Sequence, residues 1–575
     1  MPENTYICYY SPADLSAIRA LPFVVWANIY LQGFKIPPTL SAGSSAAKVV
    51  NMLENLPMAR SMSQDTQKVE IVLHDNVSAN DIRDKIAAAA KLDPAELEVS
   101  NKKVKLVVQS RYLPDIAAID EVRHIEAYVP KQLHNNIALR ILKADVSHAH
   151  TQFEGANQVI AVADTGFDRG STTDVHPAFT NRVLKLYALG RSTANDPNGH
   201  GTHVAGSILG DGFSNILGGS IRGTAPKAKL VFQALLDAQG GLGGLPDDIT
   251  NLFLVPYRDD NARIHSNSWG SSVNGIYTTN SREVDDFVWN HRDCVICFSA
   301  GNDGTDSNKD GTIDSGSIGA PGTAKNCITV GASENDRPSF KFPGGVNKYG
   351  DGWPGDFSAE PIASDPVSTN PNGMAAFSSR GPTRDRRIKP DLVAPGTAIL
   401  SALSRNVSSS DAGWGKSADP LYFFEGGTSM SNPLVAGCAA VTREYLQSKG
   451  IGQPSAALVK AMLINGATDL VGQYVPSETG ATPNNSEGFG RVDLARTVDS
   501  QSQDEVVEFW DEDILLETGE EKKILVSIEP STPLLKVTLV WTDPAGETLQ
   551  NDLDLIVRAA NGQERHGNMD LSSTE

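Results

Sequence analysis

The segment Val159-Ile-Ala-Val-Ala-Asp164-Thr-Gly-Phe-Asp168 decides the reading of this chain. Its apolar run is too short for a helix and stops at an acidic residue followed by a Thr-Gly turn. A continuous apolar run bounded by turn residues marks a strand buried on both faces. Similar runs recur at Lys229–Leu235, Arg263–Ser268, Val295–Ser299 and Ile328–Gly331. Helical periodicity separates or follows them at His203–Leu209, Asp248–Tyr257, Arg282–His291, Met430–Gln447 and Ala456–Ile464. This alternation predicts an α/β domain over residues 135–500, a doubly wound parallel sheet with helices on both faces, three layers in all. Chemistry in such sheets sits at the carboxyl ends of the strands.

Three polar residues stand at ends of this kind. Asp164 closes the first run. His200 lies in Asn198-Gly-His-Gly-Thr-His-Val-Ala-Gly206 and Ser429 in Gly426-Gly-Thr-Ser-Met-Ser-Asn-Pro433, both at helix starts. Singly, an Asp after a strand is a turn former and a Ser before a helix is an N-cap. As a set with their glycines, the three segments resemble the active-site signatures of subtilisin-like serine proteases, in that family's chain order Asp, His, Ser. Ser299-Ala-Gly-Asn-Asp-Gly304 resembles the family's oxyanion segment, and Phe377–Pro382 and Lys389–Gly396 resemble further landmarks. The resemblance covers about residues 135–498. Gly240–Pro246, Ile264–Gly270 and Asn551–Leu555 are similar to the alkaline subgroup, whose members carry a C-terminal β-sandwich.

The resemblance implies roles. Ser429 is the expected nucleophile and His200 the base that takes its proton. Asp164 orients the imidazole, and Asn302 donates to the oxyanion together with the Ser429 amide. His203 is expected to be structural. Gly240, Gly241 and Gly243 on one side, and Ser268, Trp269 and Gly270 on the other, are expected to form extended edges that sandwich a substrate strand. Ser299, Ala300 and Gly301 join them, with Gly319 as the floor of the primary pocket. A glycine floor implies a broad endopeptidase favouring a bulky apolar residue before the scissile bond. Two other readings are an inactive subtilase-fold binding module and an α/β-hydrolase esterase. The first would lack a triad or oxyanion residue, and the second needs G-x-S-x-G where this chain has Gly427-Thr-Ser429-Met-Ser431.

Asp306, Asn308, Asp310, Thr312 and Asp314 alternate, with Gly311 at the sixth position, which is hard-cation spacing. Position twelve is Ser317 rather than Glu. Structural Ca2+ is therefore expected; zinc is not, for want of clustered His or Cys. Asp552 and Asp554 are weaker candidates for a second ion. Cys294 and Cys297 form a C-x-x-C on or beside an apolar strand and read as core thiols; a disulfide between Cys297 and Cys327 is left open and not predicted. Met430, next to the nucleophile, is an oxidation candidate.

The flanks differ. Residues 1–134 lack the long Gly-rich loops and contain a repeat at an offset of 98 residues: Leu15, Ile18, Leu21, Val24 and Tyr30 match Leu113, Ile116, Ile119, Val122 and Tyr128. Residues 67–130 read as a ferredoxin-like βαβ–βαβ unit, 1–40 as the last half of another, and 41–66 as a linker. By resemblance this region is an inhibitory propeptide, its junction at Val129–Asn136 cleaved by the enzyme itself and its last strand occupying the active site. Residues 501–575 alternate apolar and polar at Val506–Phe509, Ile524–Ile528, Leu535–Trp541 and Leu553–Val557, which predicts an incomplete antiparallel sandwich.

Composition narrows the partners. The 575 residues hold 49 Lys+Arg against 69 Asp+Glu, a net charge of −20, which argues against nucleic acid or an anionic membrane surface. Five cysteines cannot make a disulfide scaffold at this length. Protein or peptide substrates, the chain's own front segment as inhibitor and a monomeric state are expected. The resemblance implies secretion, although no signal peptide is visible after Met1.

Overall fold

A computed structural model describes residues 14–28, 31–36, 40, 66–74, 77–100, 102–127, 135–407, 413–472, 478–498, 506–512, 516–528, 532 and 534–567. The chain divides into two compact units, Met1–Lys131 and Gln132–Glu575.

In the first unit the order is β1 (Thr66–Leu73), α1 (Ala79–Ala90), β2 (Glu98–Ser100), β3 (Lys103–Gln109), α2 (Leu113–Ala117) and β4 (Val122–Ala127). The antiparallel sheet runs β2-β3-β1-β4, the split-βαβ arrangement expected for residues 67–130. Val69, Ile71 and Leu73 alternate onto its buried face, where Ile82, Ile86, Ala87 and Ala90 of α1 cover them. The repeat does not extend to structure. Its first copy has a short helix, Ser16–Arg19, but Phe23, Val25 and Trp26 are exposed and no strand forms there among the described residues. Equal apolar spacing makes a strand only when a partner strand accepts its hydrogen bonds. Tyr6–Tyr10, all of the linker 41–66 but its last residue and all of the junction Val129–Asn136 but its last two lie outside the described residues.

The second unit is built on a seven-stranded sheet. Its strands are β5 (Val159–Asp164), β6 (Val183–Ala188), β7 (Lys229–Ala234), β8 (Ile264–Asn267), β9 (Val295–Ser299), β10 (Ile328–Ser333) and β11 (Leu392–Pro395). They lie in the order β11-β10-β9-β8-β5-β7-β6 with every pairing parallel. β5 sits where the direction of winding reverses, with β7 on one side and β8 on the other. The carboxyl ends of β5, β8 and β9 therefore share one edge, so Asp164, Ser268 and Asn302 leave the sheet at the same end. The expected strands appear. The strand reading did not include β6, at the sheet's edge, or β11, which lies within the Lys389–Gly396 landmark.

Two helices bring in the remaining chemistry. α3 (His200–Leu209) packs against β5 and α4 (Thr428–Ser448). Helix α4 is lined by Ala, Gly, Val and Cys and is buried almost throughout, which lets it lie flat on the sheet. Gly437 of α4 abuts Thr224, and any side chain there would collide with it. A smaller antiparallel sheet pairs β12 (Ile399–Ala402) with β13 (Tyr422–Glu425), and β13 runs directly into α4. Cys294, Cys297, Cys327 and Cys438 are free and buried, and burial pushes the Cys294 and Cys438 thiols up to about 12.

The expected C-terminal sandwich does not form among the described residues. Among the described residues after 500, regular structure is limited to one ribbon, Ile556–Arg558 against Glu564–His566. The predicted runs 506–509, 524–528 and 535–541 are unpaired, with Ile524, Leu525, Val526 and Val537 exposed. Period-two alternation marks which side chains would share a face, but a strand also needs ladder partners. The segment is nonetheless tied to the sheet domain. Lys325 Nζ lies 2.6 Å from Asp543 Oδ2 with both side chains buried, Asn326 exchanges hydrogen bonds with the Asp543 backbone, and Asn465 donates to Thr538.

Candidate active site

Asp164 ends β5 with its side chain buried. Its Oδ1 accepts from the Thr165 amide and lies 2.7 Å from His200 Nδ1. Oδ2 is buried with no partner among the described residues. His200 is the first residue of α3 and keeps a quarter of its side chain exposed. A relay holds it there: Thr165 Oγ1 accepts from the Gly201 amide and donates to Asp196 Oδ1, while Asp196 also accepts from Gly199 N, Thr202 N and Thr202 Oγ1. Gly201 lies against the Gly166 backbone, an approach that leaves no room for a side chain. The sequence reading missed Asp196, although an acid four residues before His200 that caps the first helical amides is an N-terminal signal. Burial favours the neutral imidazole. The Asp164 charge and hydrogen bond outweigh it, Glu425 and Asp196 add to them, and the His200 pKa rises to about 9. Burial lowers His203 to about 3; its Nε2 is 3.0 Å from the Ile399 carbonyl, which keeps this ring in a packing role.

Ser429 is the second residue of α4. Its Oγ donates to the Ser268 carbonyl at 3.1 Å rather than to His200, and Ser268 Oγ donates back to the Ser429 carbonyl at 3.0 Å. Asn432 Nδ2 bonds Ser266 Oγ, the Asn267 carbonyl and Ser268 Oγ, fastening α4 to the end of β8. Trp269 Nε1 donates to the Ala163 carbonyl and so ties that edge to β5. Asn302 follows β9. Its Oδ1 accepts from Thr428 N and Thr428 Oγ1, which leaves Nδ2 without a partner among the described residues and beside Gly427. A side-chain carbon on Gly427 would come within 3.2 Å of that nitrogen. Gly427 has φ +137, so glycine serves both the helix entry and access to the amide.

Ser299 ends β9 and the chain turns at Gly301, φ +109. Gly319 N donates to the Ala300 carbonyl, and Ser271 and Ala320 exchange backbone hydrogen bonds. The segments around Gly270, Ala300–Gly301 and Gly319 thus lie side by side, and nothing lies closer than 3.1 Å to a carbon built on Gly319. The other expected edge is corrected: Gly240, Gly241 and Gly243 form a turn rather than an extended strand. Asp237 Oδ1 accepts from Gln239 N and Gly241 N, Asp237 N donates to the Gly241 carbonyl, and Gly240 has φ +87.

The expected cation loop does not gather ligands. Asp306 accepts from Asp310 N and Gly311 N, Asp310 from Thr312 N and Asn308 Nδ2, and Asp314 from Ser307 N. Among the described residues no three acidic, His or Cys side chains group to hold a metal ion. These carboxylates accept from the loop's own amides and close Asx turns. Met430 is buried. No helix of the described residues is long and apolar enough to cross a membrane.

Known proteins agree with the geometry. The Subtilase family matches residues 155–490, more than half of the 575. "Serine protease AprX" of Bacillus subtilis is 30% identical over 58% of this chain and 66% of its own length. "Alkaline protease" of Alkalihalobacillus alcalophilus is 24% identical over 71% of this chain and 87% of its own. "Serine protease/ABC transporter B family protein tagA" of Dictyostelium discoideum is 28% identical over 71% of this chain, which spans 26% of that protein's length. With its α/β sheet, its Asp164–His200 pair and a family match across the whole sheet domain, this chain belongs to the subtilase family.

Proposed function

We propose that the protein is a serine endopeptidase that hydrolyses peptide bonds through Ser429, His200 and Asp164. The observation that carries this is the 2.7 Å contact between His200 Nδ1 and buried Asp164, in a member of the subtilase family. Asp164 fixes the tautomer that leaves His200 Nε2 as the base. Ser429 Oγ leaves the Ser268 carbonyl, gives its proton to Nε2 and attacks the substrate carbonyl. The tetrahedral oxyanion takes hydrogen bonds from Asn302 Nδ2 and the Ser429 amide, at a helix start whose dipole favours negative charge. His200 then protonates the leaving amine, and water repeats the sequence on the acyl-enzyme. The absence of a side chain at Gly319, beside the Ser271 and Ala300 carbonyls, supports a bulky apolar residue before the scissile bond. The first unit is read as an inhibitory propeptide removed by the enzyme's own activity.

The test combines a fluorophosphonate label with casein hydrolysis. Wild type is expected to take the label at Ser429 and degrade casein, while Ser429→Ala does neither and stays at full length. An unlabelled, correctly folded wild type supports the inactive binding module instead.

A further inference from the structure

Glu425 is the last residue of β13, four positions before the nucleophile, and the sequence reading gave it no role. Its direction follows from its neighbours. Phe423, two residues earlier on the same strand face, packs edge-on against His203 of α3 at 4.9 Å between ring centres. In the β12–β13 ladder Glu425 stands opposite Ile399, whose carbonyl is 3.0 Å from His203 Nε2. One helical turn before His203 is His200, so Glu425 flanks the imidazole from the small-sheet side. Ser268 approaches Ser429 from the other side, at the end of β8.

The Glu425 carboxyl is half-buried and has no hydrogen bond or ion pair among the described residues. Its chain neighbour across the loop is Gly413, where a side-chain carbon would come within 2.6 Å of Oε1. The charged groups that face it are His200, Asp164 and Asp196. Burial raises its pKa, the His200 charge opposes that rise, and the two aspartates reinforce it. A partly desolvated carboxyl among two further acids leaves a negative field that no cation among the described residues answers once His200 has given up its proton.

His200 donates that proton to the leaving amine. The space flanking the imidazole away from Ser268 therefore borders the part of the substrate that follows the scissile bond. We propose that Glu425 selects substrates with Lys or Arg immediately after the scissile bond, its carboxylate pairing with that cation. This rests on Ser429 and His200 acting as the catalytic pair.

Three quenched fluorescent peptides, identical except for Lys, Leu or Glu after the cleaved bond, test it on the full purified chain. Wild type is expected to show kcat/KM about tenfold higher for Lys than for Glu, a preference that weakens in high salt. Glu425→Gln is expected to bring the Lys and Glu peptides to within about threefold, and Glu425→Lys to reverse their order. Equal turnover of Lys and Glu peptides by wild type, or a ratio unchanged in Glu425→Gln, overturns the assignment while the protease reading stands. Failure of wild type to cleave even the Leu peptide overturns both.

Discussion

Ser268 and Ser429 are joined by two reciprocal hydrogen bonds, each hydroxyl donating to the other residue's carbonyl. One end of β8 and the start of α4 are thereby locked together, and the hydroxyl at 429 is parked on a carbonyl rather than on His200. In the proposed reaction the hydroxyl leaves that carbonyl before it attacks. Ser268→Ala keeps the carbonyl that parks the hydroxyl but loosens the helix start. A kcat loss of about tenfold with little change in KM is the expected outcome in steady-state kinetics.

The His200 pKa of about 9 sets a pH profile. Catalysis needs the neutral ring, so kcat/KM should rise with pH through the alkaline range and level off above about pH 9. The stability effect has the opposite sense. A group raised in the folded state, from an ordinary value near 6.5, stabilises fully below about pH 6.5, and that contribution is lost as pH rises through about 9. Glu425→Gln removes one of the facing charges, leaving Asp164 and Asp196, and should move the acid limb of the rate profile downward.

Asn302 Oδ1 is held by Thr428, so its Nδ2 is oriented before substrate arrives. Asn302→Leu is expected to lower kcat about 10²–10³-fold with KM nearly unchanged. Thr428→Val, which removes the hydroxyl donor but not the amide, should give a smaller loss of the same kind.

The 306–314 loop is closed by its own amides. Asp306→Ala leaves the Gly311 amide without its acceptor and the Asp310 amide with Asn308 Oδ1 alone, and should lower stability by about 1–2 kcal/mol. Thermal unfolding should show the same loss in Ca2+ and in chelator. A loss present only with Ca2+ would establish an ion in the loop.

Lys325 and Asp543 are both buried, and Asp543 also accepts from the Gln550 and Asn551 amides. Asp543→Ala removes the counter-charge of the Lys325 ammonium, which keeps only the Pro544 and Thr548 carbonyls, and the acceptor of two amides. A cost of about 3–5 kcal/mol is expected in denaturant unfolding, larger than that of Lys68→Ala in the exposed Lys68–Glu98 pair.

The sequence by itself determined five of the seven strands of the sheet and named the candidate reacting groups. Buried parallel strands write themselves as apolar runs, and short motifs at their ends carry Asp164, His200, Asn302 and Ser429 with the glycines that allow close approach. What those groups touch was decided only by the tertiary structure. Asp196 and Thr165 steady His200 through contacts between segments, Glu425 faces the imidazole because a second sheet folds against α3, and Asp237 curls the 240–243 glycines into a turn. The loop at 306–314 has cation spacing, yet its carboxylates satisfy amides, and of the alternating runs after 506 only the last finds a ladder partner among the described residues, at Ile556–Arg558. Spacing along a chain specifies which side chains can share a face. Whether a donor, an ion or a neighbouring strand meets them depends on residues that are distant in sequence, and pairing of that kind leaves no local pattern.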